Sequence, residues 1–126
     1  MTVHLDTGFL IRALVPGSDE DRALRGWLRR GASLGMSTIA WAEFLCGPVG
    51  AEHAELAARV VGNRVPFVED DAALAARLFN LAGRRRGTLT DCMIAATAVA
   101  AGAALATTNT ADFRRFEVAG LELATA

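Results

Sequence analysis

Four acidic residues stand where a parallel α/β fold would bring their carboxylates together. Asp6 closes the first predicted strand, and Asp91 opens TDCMIAATAVAA, a helix that is apolar nearly all round and therefore predicted to be buried. Glu43 lies in the helix after the second predicted strand, and Asp112 follows a strand near the end of the chain. Because such folds bind ligands at the carboxyl ends of their strands, we predict that all four acids share one cleft.

Clustered carboxylates have a definite chemical consequence. They repel one another, and several would bind protons unless a cation balanced their charge. Oxygen ligands without cysteine or histidine suit hard divalent ions such as Mg²⁺ or Mn²⁺. Ions held in this way can activate water and stabilise the leaving oxygen in phosphodiester cleavage. The pattern therefore predicts metal-assisted hydrolysis of a nucleic-acid backbone.

Each acid taken alone also has a purely structural explanation. Asp91 lies in the first turn of its helix, where the helix dipole favours an anion. Asp6 could accept hydrogen bonds from a turn. The apolar neighbours of Glu43 favour a buried salt bridge with an arginine. Asp112 stands three residues after Asn109, a spacing close to that of a capping box.

Short apolar strands alternate with helices along the whole chain. The predicted strands are residues 2–6, 33–37, 65–69, 104–107 and 121–123. The predicted helices are residues 9–15, 19–30 after an N-cap at Ser18, 38–46 after Ser37 or Thr38, 51–61, 71–86, 90–101 with Thr90 as N-cap, and 110–116. This alternation indicates parallel βαβ units, and hence a three-layer α/β/α sandwich that forms a single domain over residues 1–126.

The composition is that of a globular protein. Hydrophobic residues make up 52% of the chain, and no run of about eighteen uncharged apolar residues predicts a membrane span. The first residues lack the basic start of a signal peptide, so we expect a cytoplasmic protein without a membrane association. Cys46 and Cys92 lie in apolar sequence without ligand spacing, which predicts two buried free thiols and no zinc site.

The charged residues give a weaker indication. A net charge of −1 provides no general attraction to nucleic acid. All thirteen basic residues are arginine, and three of them are consecutive, Arg84, Arg85 and Arg86. Their guanidinium groups could contact RNA phosphates near the cleft. The solvated end of a helix explains the same three residues equally well.

Four segments stand in a characteristic order over nearly the whole chain: LDTGFL, STIAWAEFLCG, RRRGTLTDCMIAATA and ALATTNTADFRRF. In order and spacing they resemble the PIN-domain ribonucleases, and more narrowly the VapC toxins of bacterial toxin–antitoxin systems. The resemblance implies a five-stranded parallel sheet between helices. It also implies Mg²⁺ or Mn²⁺ bound by Asp6 and Asp91, with Glu43 and Asp112 completing an acidic pocket.

The resemblance extends to further residues and to partners. Polar positions that line the pocket in such proteins are matched here by Thr107 and Asn109. The implied activity is cleavage of structured RNA such as tRNA or rRNA by a homodimer that a VapB-like antitoxin inhibits. In VapC-like proteins the first helices form the antitoxin groove, although core packing also explains the apolar residues of that region, which are Leu10, Leu14, Leu24, Trp27 and Leu28.

Two other functions fit the same sequence. One is a housekeeping RNA-processing nuclease without a toxin role. The other is a non-enzymatic α/β module that binds a partner through its acidic pocket. Nucleotide binding is not indicated, because the glycines form no phosphate-binding loop motif.

Overall fold

The computed structural model describes residues 1–126 and contains one five-stranded sheet in which every strand pair is parallel. The strands are β1 Thr2–Leu5, β2 Ser33–Ser37, β3 Asn63–Val65, β4 Ala104–Ala106 and β5 Glu122–Leu123. Their order across the sheet is β3-β2-β1-β4-β5. The predicted parallel α/β class and the five strands are therefore confirmed.

Helices connect all the strands. They are α1 Thr7–Ala13, α2 Asp19–Arg29, α3 Thr38–Cys46, α4 Ala51–Val60, α5 Glu69–Leu81, α6 Leu89–Ala100, α7 Thr110–Phe113 and a 3-10 helix, Arg114–Ala119. None of them combines the length and the hydrophobicity that crossing a membrane would require.

The middle strand shows that both faces of the sheet are covered. Successive side chains of a strand point to opposite faces. In β1 the residues Val3, His4 and Leu5 are nonetheless all buried, with at most 1% of their surface exposed. Parallel sheets need this cover, because their crossover helices pack on both faces. The predicted α/β/α layering follows directly.

The third strand and the helix after it differ from prediction. Residues 65–69 do not form the strand, because pairing with β2 ends at Val65 and Pro66 has no N–H for a further ladder bond. The helix α5 begins at Glu69, where the Asp71 carboxylate accepts a hydrogen bond from the Val68 N–H at 3.0 Å. It ends at Leu81 rather than at residue 86.

Left-handed backbone explains the early end of α5. Gly83 and Arg84 have φ angles of 80° and 57°, which a right-handed helix cannot contain. The three consecutive arginines therefore lie in a loop and not at a helix end. The next helix, α6, begins at Leu89, so its N-cap is Thr88 and the predicted N-cap, Thr90, lies inside the first turn.

Two smaller expectations also fail. The predicted helix over residues 110–116 is α-helical only to Phe113 and continues as the 3-10 helix. Both cysteines are free, but only Cys92 is buried, and Cys46, the last residue of α3, is exposed.

The predicted caps at Ser18 and Ser37 are confirmed, since their hydroxyls accept hydrogen bonds from backbone N–H groups at 3.0 Å.

His4 is a buried polar residue that leads to a prediction on stability. Only 1% of it is exposed, and neither ring nitrogen has a hydrogen-bond partner. Burial lowers the pKa of His4, so the unfolded chain binds a proton that the folded protein resists. Below about pH 6.5, therefore, the free energy of unfolding should fall as the pH falls, and above it this contribution should vanish.

Denaturation of wild type and His4→Leu in urea between pH 5 and 8 measures this effect. In the variant the free energy of unfolding should no longer fall as the pH falls below about 6.5. At pH 8 it should be about 1 kcal/mol higher than in the wild type, because the substitution removes two unpaired polar atoms. An identical pH dependence in both proteins would show that His4 titrates normally.

Candidate active site

The acids gather where the strand order reverses. From β1 the chain moves to β2 and β3 on one side, and β4 then lies on the other side of β1. Such a switch point opens a crevice at the carboxyl ends of the two adjacent strands. Asp6 follows β1 and Thr107 follows β4, and the Asp6 N–H donates to the Ala106 carbonyl at 3.0 Å.

Asp6 is held in place from two directions. One carboxylate oxygen accepts the Phe9 N–H at 3.1 Å, so Asp6 is the N-cap of α1, and this helix therefore begins at Thr7 rather than at Phe9. The other oxygen accepts the Thr107 hydroxyl at 2.6 Å. Only 8% of Asp6 is exposed. Asp6, which the sequence predicts as the end of a strand, thus caps α1 and lines the cleft with both carboxylate oxygens held by hydrogen bonds.

The pKa of Asp91 reflects the charged groups that surround it in the cleft. Asp91 lies in the first turn of α6 and is half-buried. Burial raises the pKa of Asp91, and the carboxylates of Asp6, Glu43 and Asp112 raise it further. The guanidinium group of Arg115 acts in the opposite direction. The four predicted acids are therefore close enough for the other three to act on Asp91, although Asp112 is not among the residues that line the cleft.

Glu43 differs from the expectation of a buried salt bridge. Its side chain is exposed, and it forms no salt bridge with any arginine. The helix α3 buries Ala40 and Phe44, and Glu43 lines the cleft beside them. Its Oε1 atom accepts the Thr7 hydroxyl at 2.8 Å. The prediction of burial was wrong because one side of this apolar helix borders open space.

Asp112 is anchored by a side chain and not by a capping box. The Asn109 amide donates to Asp112 Oδ2 at 2.6 Å, and Asn109 makes no side-chain cap of α7. The Asn109 N–H donates to the Thr107 hydroxyl oxygen at 3.0 Å. Thr107 and Asn109 thus connect Asp112 to Asp6 through successive hydrogen bonds.

The lining of the cleft contains residues that the sequence pattern did not single out. Thr7, Gly8, Ile94 and Thr108 line it together with Asp6, Glu43, Asp91 and Asn109. A Cβ atom on Gly8 would lie 3.2 Å from the Thr108 hydroxyl oxygen, so a side chain at this position would crowd Thr108. The only available signal for Thr7 and Gly8 was their position directly after Asp6.

The oxygen ligands of the cleft fit a hard divalent ion. Mg²⁺ usually binds through one or two carboxylates and keeps several waters. No three acidic, histidine or cysteine side chains converge on one point here. The buried Asp6 and the half-buried Asp91 line the same cleft and repel one another, and two such carboxylates match the mode of binding that Mg²⁺ prefers. Mn²⁺ accepts the same ligands.

The consecutive arginines do not line this cleft. Arg84, Arg85 and Arg86 are all exposed, and Arg84 donates to the Asn80 side chain at 2.8 Å. The cation that acts on Asp91 is instead Arg115, which the sequence pattern did not single out.

A separate apolar groove lies between α1, α2 and α4. Four of the five predicted groove residues line it, namely Leu10, Leu14, Leu24 and Leu28. Trp27 does not, because it stacks on Phe9 in the core, and its indole N–H donates to the Thr125 carbonyl at 2.9 Å. Of the four leucines only Leu28 is exposed, at 47%.

Comparisons with known proteins agree with this architecture. A family model described as PIN domain matches residues 3–119. No curated protein is significantly similar in sequence.

Several solved structures share the fold. The VapBC2 complex of Rickettsia felis, bound to a promoter DNA fragment, is 20% identical with a TM-score of 0.78, and 98% of each chain is covered. VapBC-1 of nontypeable Haemophilus influenzae is 24% identical with a TM-score of 0.73, over 98% of this chain and 97% of the other. A toxin–antitoxin complex of Klebsiella pneumoniae is 25% identical with a TM-score of 0.71, over 88% and 89%.

Proposed function

The chain belongs to the PIN-domain family, and from this premise we propose that it is a metal-dependent endoribonuclease. The observation that carries the proposal is the cleft at the switch point, which Asp6, Glu43 and Asp91 line together. Burial and the charges of the other two acids, with that of Asp112, raise the pKa of Asp91. A site that gathers four acids in this way is unfavourable unless it binds cations.

Asp6 and Asp91 are the proposed ligands of Mg²⁺ or Mn²⁺. A divalent cation bound there would supply positive charge against the carboxylates and the substrate phosphate and would make water more acidic. Asp6 is suited to this role because both of its oxygens are oriented by hydrogen bonds. Each oxygen retains a second lone-pair direction for a ligand.

Glu43 and Asp112 are proposed to hold a second ion or to orient the attacking water. In Glu43, Oε1 accepts the Thr7 hydroxyl and Oε2 accepts no hydrogen bond. In Asp112, Oδ2 accepts the Asn109 amide and Oδ1 accepts none. Each residue therefore has one oriented carboxylate with a free oxygen, which is what accepting a proton from water requires.

The proposal can be made more specific, since a ribonuclease of this kind could act as a toxin. The solved structures named above are toxin–antitoxin complexes, and their likeness supports a toxin with a VapB-like antitoxin as partner. We extend the proposal to cleavage of structured RNA such as tRNA or rRNA, as the resemblance of the sequence implies, by a homodimer whose groove between α1, α2 and α4 receives the antitoxin. The apolar lining of that groove suits a hydrophobic segment of a partner.

The direct test is cleavage of a folded RNA by the purified protein. We expect cleavage in Mg²⁺ or Mn²⁺, none after addition of EDTA, and none with Asp6→Asn. Brief expression in cells should produce new RNA ends and growth arrest. Metal-independent cleavage would contradict the mechanism, and cleavage without growth arrest would favour a housekeeping nuclease.

A further inference from the structure

The proposed cleft presents an electrostatic problem to its substrate. RNA carries a negative charge on each phosphate, and the cleft is lined by acids with no arginine among its lining residues. Bound cations can balance the reacting phosphate, but the rest of the strand must also be held against this negative field. A fixed positive charge at the edge of the cleft would serve that purpose.

Arg115 is such a charge. It is half-buried in the 3-10 helix that follows α7. Its Nε atom donates to the Asp112 carbonyl at 2.7 Å, and its guanidinium carbon lies 5.4 Å from the centroid of the Phe116 ring. These two contacts hold the side chain against the element that carries Asp112.

The outer part of the guanidinium group is unused. Neither Nη atom of Arg115 makes a hydrogen bond, and the three salt bridges of the chain all involve other arginines. The hydrogen bond to the Asp112 carbonyl keeps Arg115 next to Asp112, whose side chain is hydrogen-bonded to Asn109 in the lining of the cleft. A half-buried arginine with two free donor groups beside a cleft is suited to the oxygens of a phosphate.

We propose that Arg115 is a substrate-positioning residue whose two free Nη groups bind a phosphate of the RNA at the Asp91–Asp112 side of the cleft. This inference rests on the proposed ribonuclease function. It places the principal phosphate contact at Arg115 rather than at the three loop arginines, because Arg115 is hydrogen-bonded to the Asp112 backbone whereas Arg84 is hydrogen-bonded to Asn80 of α5.

The test compares Arg115→Met with Arg114→Met. Both changes remove one positive charge from the same helix, and the neighbouring Arg114 is exposed and makes no salt bridge. Binding of a labelled single-stranded RNA would be measured in the Asp91→Asn background at several salt concentrations. The Michaelis constant for cleavage would be measured with Asp91 present.

We expect Arg115→Met to raise both the dissociation constant and the Michaelis constant about tenfold, whereas Arg114→Met should change them less than about twofold. The slope of log affinity against log salt should become shallower by about 0.7 in Arg115→Met, because one phosphate contact is lost. A purely structural role would leave that slope unchanged.

Thermal unfolding and circular dichroism establish whether Arg115→Met is folded. If Arg115→Met is unfolded, Arg115→Lys takes its place in the test, because lysine keeps the positive charge but lacks the planar guanidinium group. The affinity of Arg115→Lys for RNA should fall severalfold, while the slope of log affinity against log salt should stay at the wild-type value. Equal behaviour of the Arg115 and Arg114 variants, with cleavage intact, would overturn this inference alone. A wild-type protein that neither binds nor cleaves RNA would overturn the proposed function and this inference with it.

Discussion

Asp91→Asn is expected to abolish RNA cleavage and, at neutral pH without metal, to make the folded protein more stable. Burial and three neighbouring carboxylates raise the pKa of Asp91, so the folded protein loses stability as the pH rises from the ordinary pKa of an aspartate to the raised value, and the loss is complete above it. Asparagine has nearly the same shape and carries no charge. It therefore removes the repulsion together with the proposed metal ligand.

The expected size of the kinetic effect follows from the role of the ligand. If the metal stabilises the transition state by about 4 kcal/mol, losing it lowers the cleavage rate about 10³-fold. The sign of the stability effect depends on pH. Below about pH 4 both proteins are uncharged at this position and should unfold alike, and the advantage of the variant should grow as the pH rises.

Cleavage assays and thermal denaturation with and without Mg²⁺ measure both effects. Mg²⁺ should raise the unfolding midpoint of the wild type, because a ligand that binds only the folded state stabilises it, and should raise that of Asp91→Asn less. The matched control is Asp70→Asn, an exposed acid in the first turn of α5. It should cleave normally and lose up to about 1 kcal/mol of helix-dipole stabilisation.

Wild-type cleavage by Asp91→Asn would contradict the nuclease mechanism. Growth arrest by a variant that cleaves no RNA would favour the binding module instead.

Gly35→Ala should destabilise the protein by about 3 kcal/mol, a large loss for the addition of one methyl group. Gly35 lies in β2, opposite His4 of β1 and Asn63 of β3. A Cβ atom there would lie 2.8 Å from the Asn63 carbonyl oxygen and 3.2 Å from His4 Cδ2. The carbonyl belongs to the backbone of a paired strand, so it can move only if the strand moves with it.

Urea denaturation of Gly35→Ala beside Gly62→Ala measures this cost. A Cβ atom on Gly62, just before β3, would meet nothing within 4 Å, so this control should change stability by less than about 0.5 kcal/mol. Equal midpoints for the two variants would show that the sheet adjusts freely at β2. Partial recovery in the double variant Gly35→Ala, His4→Ala would assign part of the cost to the histidine.

Local sequence signals predicted most of the elements correctly, because their causes are local. Serine hydroxyls cap the helices at Ser18 and Ser37, as their positions before helical segments indicate. The boundaries failed where a single residue ended an element. Pro66 ends β3, and the left-handed backbone at Gly83 and Arg84 follows the end of α5. Proline can be read from the sequence as the end of a strand, whereas the positive φ of Arg84 cannot, because residues other than glycine rarely adopt it.

Glu43 shows the limit of reasoning from helical neighbours. Its apolar surroundings in sequence favoured burial, yet the side chain is exposed at the cleft. Whether a helix face meets the core or open space depends on how the helix packs, and a single helix contains no information on that. The predicted groove failed at Trp27 for the same reason, since its partners are Phe9 and the distant Thr125 carbonyl.

The sequence by itself determined the parallel α/β class and placed Asp6 at a strand end and Asp91 and Asp112 near helix starts, because side-chain periodicity and helix capping act over a few residues. Only the tertiary structure decided the strand order that joins β1 to β4 and lets Thr107 hold Asp6 across 101 positions of the chain. It also decided that Arg115, and not the arginine run, acts on Asp91. These contacts depend on which strands the crossover connections place side by side. They therefore form only when distant segments of the chain pack together.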